Sequence, residues 1–198
     1  MREALVRHTG TVAPLERSSV DTDQIIPARF CKRLGRTGYE DTLFSRWRQD
    51  PDFPVTSARH AGASILVSGP DFGIGSSREH AVWALRDFGF RVVVASSFGD
   101  IFRQNATKNG LLTAEVPEEG AARLRRAAAA RPDLPVLVDL ERRAITADGL
   151  VVTFDIDEYS RWQLMNGLDD LQATLSKGEK IDAYEATRPG WLPTTIGT

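Results

Sequence analysis

A single cysteine, Cys31, in 198 residues leaves this chain without the means for an intramolecular disulfide. The same scarcity excludes a Cys-rich zinc site and an iron–sulfur cluster ligated by this chain alone. Long apolar runs are missing too: the strongest, Val92-Val93-Val94-Ala95, falls far short of the ~20 residues that a membrane helix needs. The opening stretch from Met1 to His8 has neither the apolar segment nor the small-residue cleavage site of a signal peptide, so the expected location is cytoplasmic. Charge of one sign is also lacking. With 25 basic against 27 acidic side chains, a formal net charge of −2, the sequence has no basic surplus for phosphate neutralisation, which argues against a nucleic-acid partner. No repeat stands out at solenoid periods, and Ala121 to Ala130 is the longest low-complexity block.

What is present suffices for one substantial core, since a folded chain of this length buries roughly 70% of the surface exposed when unfolded. The pattern predicts a single α/β domain over residues 1–186, with a mixed sheet flanked by helices, and a poorly ordered tail over 187–198. Ala4 to Pro14 reads as one strand, and Val20 to Pro27 as a polar loop followed by an extended piece. A basic loop runs from Arg29 to Arg48, broken by Gly35 and Gly38, with a short helix expected over Glu40 to Trp47. Buried strands are expected at Ala63–Val67, Arg91–Ala95 and Leu111–Glu115, interleaved with helices at Ser76–Phe88, Phe98–Asn109 and Pro117–Arg131. Val136–Leu140 and Arg143–Phe154 supply antiparallel strands around an Asp148-Gly149 turn, and helices follow at Asp157–Gly167 and Asp169–Lys177.

The informative stretch is Gly69-Pro70-Asp71-Phe72-Gly73-Ile74-Gly75-Ser76-Ser77-Arg78-Glu79-His80-Ala81. A buried strand leads into a glycine loop and then a helix start, an arrangement that aims unpaired backbone N–H groups at an anion. It is not the dinucleotide fingerprint, whose third glycine is replaced by Arg78, nor a Walker loop, nor a hydrolase elbow. Ser76-x-x-Glu79 fits a capping box, but capping leaves unexplained an arginine against the helix dipole; a bound carboxylate in its fork would explain it. Asp71 sets a carboxylate beside this anion site, and the sequence offers no physical reason for it.

Gly73 to Ala81 with Trp83-Ala84-Leu85 closely resembles the signature of the small swivelling domain of the aconitase superfamily, and within it the small-subunit family of 3-isopropylmalate dehydratases (isopropylmalate isomerases) of leucine biosynthesis. Asp21-Thr22-Asp23-Gln24-Ile25-Ile26-Pro27-Ala28-Arg29-Phe30 resembles that family's N-terminal motif. Ser97 to Asn105 and Lys108 to Leu112 resemble its later segment. The likeness spans roughly residues 3 to 175. It departs at Asp71 and Ile74, where many relatives carry Asn and Cys, and at Val82, where many carry Pro.

The resemblance implies a swivelling-type β/β/α fold and a hydro-lyase reaction, in which 2-isopropylmalate loses water to give 2-isopropylmaleate and regains it as 3-isopropylmalate. It implies a [4Fe–4S] cluster on a separate large subunit as Lewis acid, with no cofactor or metal bound by this chain. By the same carry-over, Ser76 is the base, Ser77 and Arg78 bind a substrate carboxylate, and Lys32 and Arg33 in the basic loop read the distinguishing group. Asp21 and Asp23 are candidates for orienting a partner histidine across the interface, although turn formation accounts for them as well. His80 reads as a structural hydrogen bonder, and His8 and His60 have no company for a metal. A related hydro-lyase small subunit, for homoaconitate or a methyl-substituted maleate, and a non-catalytic anion-binding module remain open alternatives.

Overall fold

The computed structural model describes residues 3–76 and 78–193. In chain order it contains β1 (Arg7–Gly10), β2 (Val12–Pro14), α1 (Thr22–Ile25), β3 (Ile65–Val67), α2 (Glu79–Phe88), β4 (Val92–Ala95), α3 (Asp100–Lys108), β5 (Leu112–Glu115), α4 (Glu118–Ala130), β6 (Val136–Asp139), β7 (Ala144–Ala147), β8 (Leu150–Thr153), α5 (Glu158–Asn166), α6 (Asp170–Leu175) and α7 (Gly178–Thr187). The expected mixture of parallel and antiparallel pairing is divided between two four-stranded sheets. One runs β2-β3-β4-β5 and is wholly parallel; the other runs β1-β6-β7-β8 and is wholly antiparallel.

The parallel sheet is built from short, uninterrupted apolar runs because both of its faces are covered. Ala13, Leu66, Val93 and Ala95 point to one side, where α2 and α3 pack with Tyr39, Leu43, Phe44 and Phe53. Val12, Ile65, Val67, Val92 and Val94 alternate to the other side. There they meet Ala121, Leu124 and Ala128 of α4 and the inner residues Val136, Val138, Ile145 and Val152 of the antiparallel sheet. The β7–β8 hairpin turns at Asp148 and Gly149, at φ 41° and 78°, the left-handed pair that a two-residue turn of this twist requires.

Several expectations need correction. The strand read from Ala4 to Pro14 is two strands in different sheets, which part at Thr11, whose carbonyl accepts from the amides of Ser64 and Ile65. The stretch read as loop and extended chain around Asp21 holds a helical turn instead, because Asp21 and Gln24 form a reciprocal capping box. No α-helix forms over Glu40 to Trp47. Phe44 sits there in the left-handed region at φ 48°, and only a 3-10 turn follows at Trp47–Gln49. Helix α2 begins at Glu79, three residues later than expected, so Ser76 caps nothing. Glu79 does not reach back either; its Oε1 accepts from Asn109 Nδ2 at 2.7 Å. Helix α7 was not foreseen, and of the expected tail the last five residues lie outside the described ones.

Candidate functional site

The loops that leave the carboxyl ends of β2, β3 and β4 are knitted into one surface, the usual place for a ligand on a parallel sheet. Leu15 N donates to Val67 O, Gly69 N to Arg17 O, Gly73 N to Val20 O, Phe72 N to Ser97 O and Gly99 N to Phe72 O. Phe72 and Phe102 meet edge to face beneath this weave, their centroids 5.3 Å apart. Gly73 is at φ 77°, and a Cβ there would lie 2.3 Å from Phe102 Cγ. Gly73→Ala is therefore expected to destabilise the chain by about 2 kcal/mol, through backbone strain and overpacking, as a lowered midpoint in denaturant titration.

Asp71 now has a physical account. Its φ of 60° is a conformation that aspartate tolerates, and its exposed carboxylate accepts from Ser97 Oγ at 2.8 Å, a bond that ties the loop after β3 to the loop after β4.

The sequence-expected site residues differ in their surroundings. Ser76 is exposed in the irregular segment before α2, and among the described residues its hydroxyl has no hydrogen-bond partner. Ser77 lies outside the described residues. Arg78, the residue that opens α2, does not face an empty site: its Nη1 and Nη2 donate to the two carboxylate oxygens of Asp23 at 2.5 and 2.8 Å. These bonds draw the Asp23 carboxyl below its ordinary value against a smaller push from burial, and raise Arg78 further. The arginine at the helix start thus has its counter-charge inside the chain. Asp21, meanwhile, is occupied with capping α1.

The basic loop divides differently from expectation. Arg33 is consumed by the loop itself: it forms a fork-to-fork pair with Asp41 at 2.7 and 2.8 Å, donates to Gly38 O, and lies over the rings of Phe30 and Tyr39. Lys32 is exposed and has no ion pair among the described residues. Leu34, beside it, is 100% exposed. Cys31 is partly buried within electrostatic reach of Arg78 and Asp23, and burial pushes its thiol upward. His80 packs against Trp83 and Tyr39, and burial lowers its pKa from the ordinary histidine value.

Two residues that sequence reasoning passed over shape this surface. Thr22, only 1% exposed, donates from its hydroxyl to Ser76 O at 2.5 Å, and its amide donates to Ile74 O at 3.1 Å. Arg125, in the middle of the alanine-rich helix, is 6% exposed. It donates to Ser68 O at 2.6 Å, Glu16 at 3.0 Å and Glu118 at 2.8 Å, joining the ends of β2 and β3 to α4. Ser96 Oγ, at the end of β4, donates to the other oxygen of Glu118. A shallow depression of about 270 Å³ borders the glycine loop, lined by Gly73, Ile74, Gly75, Gly99 and the first turn of α3, where Ile101 is 53% exposed. A hollow of about 360 Å³ between α5, α6 and α7 contains none of the candidate residues.

The chain is similar to known proteins over nearly its whole length. The model of the aconitase C-terminal domain matches residues 2–119, and the LeuD_N model matches residues 122–158. A 3-isopropylmalate dehydratase small subunit from Acidothermus cellulolyticus is 56% identical over 193 residues, 98% of each chain. Its counterpart in Clavibacter michiganensis is 55% identical, covering 98% of this chain and 95% of the relative, and that in Mycobacterium ulcerans is 54% identical over 99% of both. A solved structure described as a 3-isopropylmalate dehydratase from Methanocaldococcus jannaschii superposes with a TM-score of 0.66 at 23% identity, over 90% of this chain and 99% of that one, a likeness of fold.

Proposed function

Because the chain belongs to the aconitase superfamily, in the family of 3-isopropylmalate dehydratase small subunits, we propose that it forms half of a hydro-lyase that interconverts 2- and 3-isopropylmalate through 2-isopropylmaleate. The observation that carries this reading is the joining of Ser76, Arg78 and Asp23 on one exposed loop surface at the carboxyl edge of the parallel sheet, in a chain of that family.

The elimination needs a base for a weakly acidic C–H and a Lewis acid for the departing hydroxyl. Among the described residues no three His, Cys, Asp or Glu side chains gather to hold a metal, and the chain has one cysteine, so its own donors do not fit a [4Fe–4S] cluster. The cluster belongs, on this reading, to a large subunit that docks over the loop surface. This chain contributes the groups for carboxylate binding and proton removal. Ser76 takes the proton next to a substrate carboxylate, and the loop amides and Arg78 stabilise the negative charge that develops there. Ser77 is a further carboxylate ligand, and Lys32 belongs to the loop that reads the group distinguishing one substrate from another.

Arg78 serves as clamp without giving up Asp23. The aspartate uses the two terminal nitrogens end-on, which leaves the Nε–Nη2 edge of the guanidinium for the carboxylate of a ligand. Arg33, tied to Asp41, holds the shape of the loop, which favours its exposed neighbours Lys32 and Leu34 as the side chains that meet a substrate. No helix among the described residues is long and apolar enough to cross a membrane.

The test is reconstitution. Mixed with a cluster-bearing large subunit of the same family, the chain is expected to restore conversion of 2-isopropylmalate, followed by the ultraviolet absorbance of the unsaturated intermediate. A proven complex that turns over only a different hydroxy diacid, or none, would refute the assignment.

A further inference from the structure

We propose that Thr22 is a positioning residue for Ser76, fixing where the serine hydroxyl sits through two bonds to the loop backbone; this rests on the reading of Ser76 as the base. Nothing on Ser76 itself holds it in place, since its side chain is exposed and has no hydrogen-bond partner among the described residues. The backbone before it is the most permissive in the site, with Gly73 and Gly75 at φ 77° and 85°. Such a segment wanders unless its carbonyls are tied down.

Thr22 ties both carbonyls that flank Gly75: its amide donates to Ile74 O and its hydroxyl to Ser76 O. The hydroxyl's choice of partner is informative. At the first position of its turn it has no helical carbonyl behind it, and it reaches across 54 residues of sequence to the base's own carbonyl. Thr22 is also a rigid anchor. It is β-branched, buried, first in a turn whose start is closed by the reciprocal capping box of Asp21 and Gln24, and that turn is pinned at its far end where Phe44 N donates to Ile25 O. One turn of helix therefore holds Ser76 through Thr22 and Arg78 through Asp23, adjacent residues acting on the two groups of the site.

The experiment uses the reconstituted two-subunit enzyme with 2-isopropylmalate as substrate. Thr22→Val, which keeps the shape and removes the hydroxyl, is expected to lower kcat by about 10- to 100-fold with KM changed less than about 3-fold, the signature of a misplaced reacting group. Thr22→Ser, which restores the hydroxyl without the methyl, is expected to return kcat to within about 3-fold of the parent. The proposal is overturned if Thr22→Val keeps the parent kcat, if Thr22→Ser falls as far as Thr22→Val, or if the loss appears in KM alone. Should Thr22→Val fail to assemble, Thr22→Ala against Thr22→Ser decides on the same terms. Ser76→Ala in the same assay separates the two readings. Turnover that survives it removes the base assignment, while a dead Ser76→Ala beside a fully active Thr22→Val removes only the positioning role.

Discussion

Ser76→Ala is expected to cut the turnover of the assembled enzyme by about 10²- to 10⁴-fold, the usual worth of a positioned general base, while leaving the fold and the association with a large subunit intact. The fold is spared because the atom removed is exposed and supports nothing: the contact that involves residue 76 is made by its backbone carbonyl with Thr22. Melting temperature and complex formation measured alongside kcat check this. Serine is a poor base in water, so its use demands local positive potential. Here that potential is shared, because Asp23 neutralises much of the Arg78 charge at the distance of a hydrogen bond. The loop amides and the groups brought by the large subunit and the substrate must provide the remainder. Turnover of Ser76→Ala within a few-fold of the parent would mean that another group takes the proton.

The second large effect is on stability. Arg125→Met is expected to destabilise the chain by about 3 kcal/mol, since it strips the buried carbonyl of Ser68 and two carboxylates of one shared cation. For a domain of this size that corresponds to a melting temperature lower by roughly 6–12 °C. The effect should depend on pH in a definite direction. Burial alone would raise the Glu118 carboxyl, but the bonds from Arg125 and Ser96 outweigh it and hold Glu118 below its ordinary value. A carboxyl lowered by folding stabilises fully above its unfolded pKa, and that contribution fades as pH falls through the folded value. The gap between parent and Arg125→Met is therefore widest at neutral pH and narrows in acid; a gap that widens in acid would show that Glu118 is not the partner that matters.

What the sequence discloses and what it conceals divide along physical lines. The central strands were legible because a parallel sheet covered on both faces needs unbroken apolar runs, as at Val92 to Ala95. Helices α5 and α6 were legible from their ends, where Asp157 and Asp169 cap and Gly167 closes α5 in the left-handed region. The loop before α2 was legible from its glycines, and Gly73 and Gly75 both take positive φ. Long-range polar partners were not legible. Arg78 invited a ligand by its place at a helix start, and nothing in its neighbourhood shows that the carboxylate in its fork comes from 55 positions earlier. Arg125 sits in an alanine-rich helix that says nothing of its partners, and its burial depends on Glu16 and Ser68, which are remote in sequence. Arg33 read as free for substrate because its partner Asp41 lies beyond the Gly35 and Gly38 turns, in a stretch read as a separate helix. Phe44 at φ 48° is invisible to any pattern, since a buried aromatic is among the last residues expected there.

The passage of the chain from β1 to β2 at Thr11 bears on how the molecule comes apart. Each of these strands is the outer member of its sheet, and only Thr11 separates them. Neither sheet can shed its border without pulling on the other, so the two apolar cores share one cooperative unit and are expected to melt in a single transition. A cut near Thr11 would expose an unpaired edge on both sheets at once, and the loss would fall on the surface where the loops after β2 and β3 carry Asp23, Ser76 and Arg78.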